Sequence, residues 1–119
     1  LLEGFGLAVS PLALDEFLHS LGWLLQETGF SKRDILKILK RGLNDVLRLP
    51  YLRIVGPPLS KLSQRRIPLL MEKFGLRPRD AYHLLTIQSE GIGFFATFDN
   101  DFRKVFEQNV VKAACAVET

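Results

Sequence analysis

Cysteine is nearly absent from this chain, and the single thiol, Cys115, has no intramolecular disulfide partner. Histidine is almost as scarce. Two histidines and one cysteine, far apart in sequence, do not make the ligand spacing of a structural zinc site. No apolar run reaches the roughly 18 residues of a membrane-spanning helix, and no basic segment followed by an apolar stretch marks a secretory leader. A cytoplasmic, reduced protein is the expectation. No glycine-rich phosphate loop and no Ser-His-Asp or Cys-His order can be read, so nucleotide-loop and covalent-nucleophile chemistries lack their residues. Methionine occurs once, at Met71, and the sequence starts Leu1-Leu2-Glu3, which suggests a trimmed chain.

What is present is ordinary for a globular protein. The 119 residues are 47% hydrophobic and 24% charged, enough for one domain with a real core. The net charge of +3 is a mild lean toward polyanions. No internal repeat or low-complexity tract interrupts the chain. Phe5 to Val9 reads as a short buried strand, and Ser10-Pro11 as a helix start with Ser as N-cap and Pro in the first turn. The helix runs to about Thr28, with Leu14, Phe17, Leu18, Leu21, Leu24 and Leu25 on its apolar side, and Gly29 stops it. Ser31 to Asp34 resembles a capping box that opens a second helix ending near Pro50.

Tyr51 to Val55 reads as a strand. Leu59 to Phe74 has helical period, but Pro68 predicts a kink or two short helices. Gly75 is a helix stop, Pro78 opens a helix to about Glu90, and Gly91 ends it. Ile92 to Thr97 reads as a buried strand, Asp101 to Gln108 as a short helix, and Val110 to Val117 as an edge strand. Helices alternating with short apolar strands predict an α/β fold with a mostly parallel sheet. Trp23 and the nine phenylalanines are expected in the core.

In such sheets, sites form at the carboxyl ends of strands. Ser10 follows one strand and leads to Glu16. Thr97, Asp99 and Asp101 follow another, and Asp80 sits at a helix start, facing the same crevice. Crowded carboxylates repel one another unless a cation relieves them. Mg²⁺ or Mn²⁺ takes oxygen ligands of this kind and assists phosphodiester hydrolysis. Each acid also has a plain reading. Glu16 lies opposite the leucine stripe, as a solvated residue would. Asp80 complements the helix dipole, although Leu84 and Ile87 share its face. Asp99 suits a turn and Asp101 an N-cap. His83, one turn after Asp80, reads more readily as a hydrogen-bonded histidine than as a base.

Setting the four candidate acids aside leaves nine acidic residues against 16 basic ones. An acidic pocket on a basic domain suits a nuclease, whose surface holds phosphates while its pocket holds metal. Lys32, Arg33, Lys37, Lys40 and Arg41 cluster on one helix, and Arg65, Arg66, Arg77 and Arg79 form a second group. The plain reading of each group is a solvated face.

Asp80-Ala81-Tyr82-His83-Leu84-Leu85-Thr86, then Gly91-Ile92, then Thr97-Phe98-Asp99-Asn100-Asp101-Phe102 resembles the C-terminal signature of PIN domains, with the family's spacing of 19 residues from Asp80 to Asp99. Ser10 to Glu16 resembles the segment carrying the family's glutamate. The resemblance runs from Ala8 to about Val111. It implies one domain over residues 1–119, built as a three-layer α/β/α sandwich, and Mg²⁺- or Mn²⁺-dependent cleavage of RNA, often as a homodimer. Many members are VapC-type toxins held by an antitoxin. On this resemblance Glu16, Asp80 and Asp99 are metal ligands, Asp101 is a supporting acid, and Ser10, Thr97 and His83 support the site. Lys32, Arg33, Lys37, Arg77 and Arg79 are the RNA-binding candidates. The family begins with a strand ending in aspartate, which this chain lacks, and the full-length product is expected to carry it. The alternatives to a nuclease are a catalytically silent PIN module that binds RNA or protein, and a dimerisation or scaffold domain.

Overall fold

The structure is a computed structural model that describes residues 6–96, 105, 107 and 112–115. The chain forms two compact units, residues 1–55 and 56–119.

In the first unit a strand, β1 (Leu7–Val9), leads into helix α1 (Pro11–Glu27). The expected cap is present: the Ser10 hydroxyl accepts a hydrogen bond from the Ala13 N–H at 3.1 Å, and Pro11 occupies the first helical position, where no N–H is needed. At the other end the Gly29 N–H donates to the Gln26 carbonyl and the Phe30 N–H to the Leu25 carbonyl, both at 3.1 Å. This paired closure is a Schellman motif, and it requires the left-handed φ of +91° that Gly29 adopts. Ser31 then caps helix α2 (Lys32–Leu47), its hydroxyl accepting from the Asp34 N–H at 3.2 Å.

The two helices pack against each other through glycine. A Cβ at Gly42 would lie 3.4 Å from Phe17 Cζ and 3.6 Å from Leu21 Cδ2, and one at Gly22 would lie 3.7 Å from Leu39 Cδ1. The chain then turns at Leu49–Leu52, where the Leu52 N–H meets the Leu49 carbonyl at 3.4 Å. Pro50 and Tyr51 sit at the centre, and Tyr51 has φ 63°, the sign a type II turn demands at that position. Strand β2 (Leu52–Ile54) pairs in parallel with β1, in the register Leu7 to Leu52, Ala8 to Arg53 and Val9 to Ile54. The helical crossover between parallel strands is the connection that geometry requires.

The second unit holds the buried core. Helices α3 (Lys61–Gln64) and α4 (Arg66–Phe74) take the place of the single periodic stretch. The expected interruption occurs, but at Arg65 rather than at Pro68. A proline ring clashes with the carbonyl four residues earlier, here that of Gln64, so the chain restarts and leaves Pro68 in the first turn of α4, where its missing N–H costs nothing. Gly75 ends α4 with φ 66°, and helix α5 (Pro78–Glu90) ends at Gly91, also with φ 66°. Ile67, Leu70, Phe74, Leu76, Ala81, Leu84, Leu85, Ile87 and Val105 form one contiguous cluster.

Polar bonds tie the same helices together: the Tyr82 hydroxyl donates to Gln64 Oε1 at 2.8 Å, and Gln64 Nε2 donates to the Pro58 carbonyl at 2.8 Å. Strands β3 (Phe94–Ala96) and β4 (Lys112–Cys115) pair in parallel, with an irregularity after Phe95. Val105 and Glu107, between them, are helical. The α/β reading with parallel strands therefore holds.

Two expectations are overturned: β1, expected to be buried, has Leu7 46% exposed and Ala8 exposed, and the described aromatic residues are not all in the core. Phe74 is buried at 2% exposure, but Trp23, Phe30 and Phe17 stand 59%, 46% and 38% exposed, and the burial of the other six phenylalanines lies outside what the structure describes. Trp23 leaves the core because the side of α1 that meets α2 is occupied by Phe17, Leu21 and Gly22. Among the described residues, no helix is long and apolar enough to cross a membrane.

Candidate functional site

Asp80 is the third residue of α5, after Arg77 at the cap position and Pro78 at the start. A carboxylate in a first helical turn is favoured by the unsatisfied N–H groups there. That effect does not explain its burial. Asp80 is only 9% exposed and lies on the helix face that buries Leu84 at 0% and Ile87 at 5%, the face on which the sequence placed it. Burying a carboxylate among apolar side chains costs several kcal/mol unless it is paired or bound, and Asp80 is not free of partners. His83, half-buried one turn later, also has a partner. Next along the helix, the buried Thr86 hydroxyl donates to the Tyr82 carbonyl at 3.0 Å, which fully accounts for it as a helix-internal bond.

Glu16 lies in the second turn of α1, half-buried and likewise partnered. It belongs to the first unit and Asp80 to the second. Ser10 is buried at 7% exposure, and its hydroxyl serves as the cap of α1. Thr97, Asp99 and Asp101 lie outside the described residues. Among the described residues, no three metal-ligating side chains converge. The donors that are described, two carboxylates with one of them buried, are hard oxygen ligands of the type Mg²⁺ and Mn²⁺ accept.

The basic candidates separate by place. Lys32, Arg33 and Lys37 are exposed on α2, and Arg77 and Arg79 are exposed at the start of α5. Arg79 is partnered, and Arg66 of the same group donates to Gln88 Oε1 at 3.2 Å. On α2 the cations continue further than the sequence cluster suggested. A groove of about 460 Å³ is lined by Lys37, Lys40, Arg41, Asn44, Asp45 and Arg48. These positions recur at three- and four-residue steps along one face of the helix. That spacing was the available signal for Arg48, which shares the face of Lys37 eleven residues earlier. Phe30 beside them was hidden by its apolarity, since only the Schellman turn shows that it faces out.

The described residues thus combine a buried acid at a helix start, parallel strands and an exposed basic face. The family model for the PIN domain matches residues 1–107, and the chain belongs to that family. PIN domains are commonly nucleases and generally use divalent metal ions. No curated protein and no solved structure matches the chain.

Proposed function

We propose that this chain is a divalent-metal-dependent ribonuclease that hydrolyses RNA phosphodiester bonds. The observation that carries the reading is the buried Asp80 on the core-facing side of α5, in a chain of the PIN family. Asp80, Glu16 and Asp99 would hold Mg²⁺ or Mn²⁺, with Asp101 as a supporting acid and Ser10, Thr97 and His83 shaping the site. The ion, when bound, lowers the pKa of water and neutralises charge on the leaving oxygen. The chain's own part is positioning. At 9% exposure, the Asp80 carboxylate is largely shielded from bulk water. The apolar packing of Leu84 and Ile87 sets where α5 presents it. The cations of α2, with Arg77 and Arg79, hold the phosphates by charge.

Two parallel strand pairs with helices between strands are in keeping with a three-layer sandwich. Trp23 and Leu24, 59% and 53% exposed on α1, suit a protein partner, whether a second copy or the antitoxin of a toxin pair. A lone cysteine suits a reducing cytoplasm. The second reading, a silent PIN module that binds RNA without cutting it, is favoured by the basic groove on α2, which contains no candidate metal ligand besides Asp45.

A cleavage assay on a mixed RNA pool separates the two. With Mn²⁺ or Mg²⁺ the protein is expected to cut, and EDTA, Asp80→Asn and Asp99→Asn are each expected to stop it. Undiminished, EDTA-sensitive cutting by Asp80→Asn would remove that residue from the site. RNA binding without cutting in any condition would favour the silent module.

A further inference from the structure

We infer that α2 and the turn before it form a binding track for single-stranded nucleic acid. The groove lined by Lys37, Lys40, Arg41, Asn44, Asp45 and Arg48 adjoins a smaller one of about 220 Å³, lined by Phe30, Asp34, Lys37, Ile38 and Arg41. Lys37 and Arg41 belong to both. Arg33, four residues before Lys37, extends the same face, so five cations run from Arg33 to Arg48 over about 22 Å of helix. Two acids, Asp34 and Asp45, border them, and the balance along the track remains positive.

Of the apolar residues of α2, Ile38 lines the smaller groove and the others line neither. Ile35, Ile38, Leu39, Leu43 and Val46 are half-buried, while all five cations are exposed. A cationic stripe of this length matches a chain of phosphates rather than one anion.

Phe30 decides the kind of polyanion. It is 46% exposed beside Lys37 and Arg41, and the bond from its backbone N–H to the Leu25 carbonyl anchors the main chain that carries it. An exposed aromatic next to cations offers a stacking platform for a base whose phosphates the cations hold. A duplex keeps its bases stacked on each other, and an acidic polypeptide has no base to stack, so neither uses the ring. Asn44 adds an amide able to bond a phosphate or a base edge. This inference draws on the nuclease reading only for the choice of RNA as the strand, and binding can be measured without cleavage.

The test is fluorescence anisotropy with a labelled oligouridine strand in EDTA, over a range of salt. Wild-type protein is expected to bind with strong salt dependence. Lys37→Ala with Arg41→Ala is expected to lower the slope of log affinity against log salt by about 1.4, at about 0.7 per single-strand phosphate contact. Phe30→Ala is expected to weaken binding about 5- to 150-fold, and Phe30→Trp to restore it. Circular-dichroism melts establish that each variant folds.

Unchanged affinity in folded Phe30→Ala, or equal binding of duplex RNA or polyglutamate, would overturn the proposal. The two readings fail differently. Track-dependent binding without metal-dependent cleavage upholds the track and defeats the nuclease. Cleavage whose KM is untouched by the track variants does the reverse.

Discussion

Three glycines receive the same substitution and should respond in opposite directions. Gly42 lies inside α2 against α1, and a Cβ there would meet Phe17 Cζ at 3.4 Å and Leu21 Cδ2 at 3.6 Å. These are ordinary contact distances. Alanine is favoured over glycine in a helix interior by about 0.8–1.0 kcal/mol, and the new methyl gains up to about 0.8 kcal/mol by filling apolar space. The near limit of the Phe17 contact takes some of this back. Gly42→Ala is therefore expected to stabilise the protein by about 1 kcal/mol.

Gly22→Ala, with its nearest neighbour at 3.7 Å, is expected to gain about the same helix term. Gly29→Ala faces open space but sits at φ +91°, so it should lose about 1–2 kcal/mol to backbone strain. Thermal unfolding followed by far-UV circular dichroism reads all three. Two upward shifts and one downward shift of the midpoint, each of a few degrees, are the expected pattern. A loss of more than about 1 kcal/mol for Gly42→Ala would contradict the packing of α1 on α2, since only overpacking costs that much. Gly29→Ala should also weaken single-strand binding, because the turn it closes positions Phe30.

Other expectations can be checked in the same preparations. Phe74→Ala, removing a fully buried ring from the core of the second unit, should cost about 3–5 kcal/mol by denaturant titration. Ser10→Ala removes the cap of α1 and should cost about 0.5–2 kcal/mol. A folded Ser10→Ala that keeps full cleavage activity would confine this residue to the cap. Asp80→Asn is expected to abolish metal-dependent cleavage while the thermal midpoint stays within a few degrees of wild type, which separates a site role from a structural one. Tyr82→Phe breaks the bond to Gln64 and should cost about 0.5–1.5 kcal/mol, read as a lowered midpoint with RNA affinity unchanged.

Much of this protein follows from local rules that act within a few residues. Ser10, Pro11 and Ser31 place helix starts because capping needs only a hydroxyl and the next turn of backbone. Gly29, Gly75 and Gly91 place helix ends because each takes a positive φ that other residues resist. The same reach covers Asp80, whose helical spacing to Leu84 and Ile87 puts it on the buried face. The PIN signature around it, from Asp80 to Asp101, is likewise a matter of residues and intervals.

Tertiary structure decided what depends on distant partners. Trp23 and Phe30 face solvent although their apolarity favours burial. One face of a helix can meet only one neighbour, and in α1 that place is taken where Gly42 admits Phe17 and Leu21. The same packing turns α2 so that its cations form one outward track. Apolar content stated how much surface wants burial, and the geometry of helix against helix chose which side chains were buried.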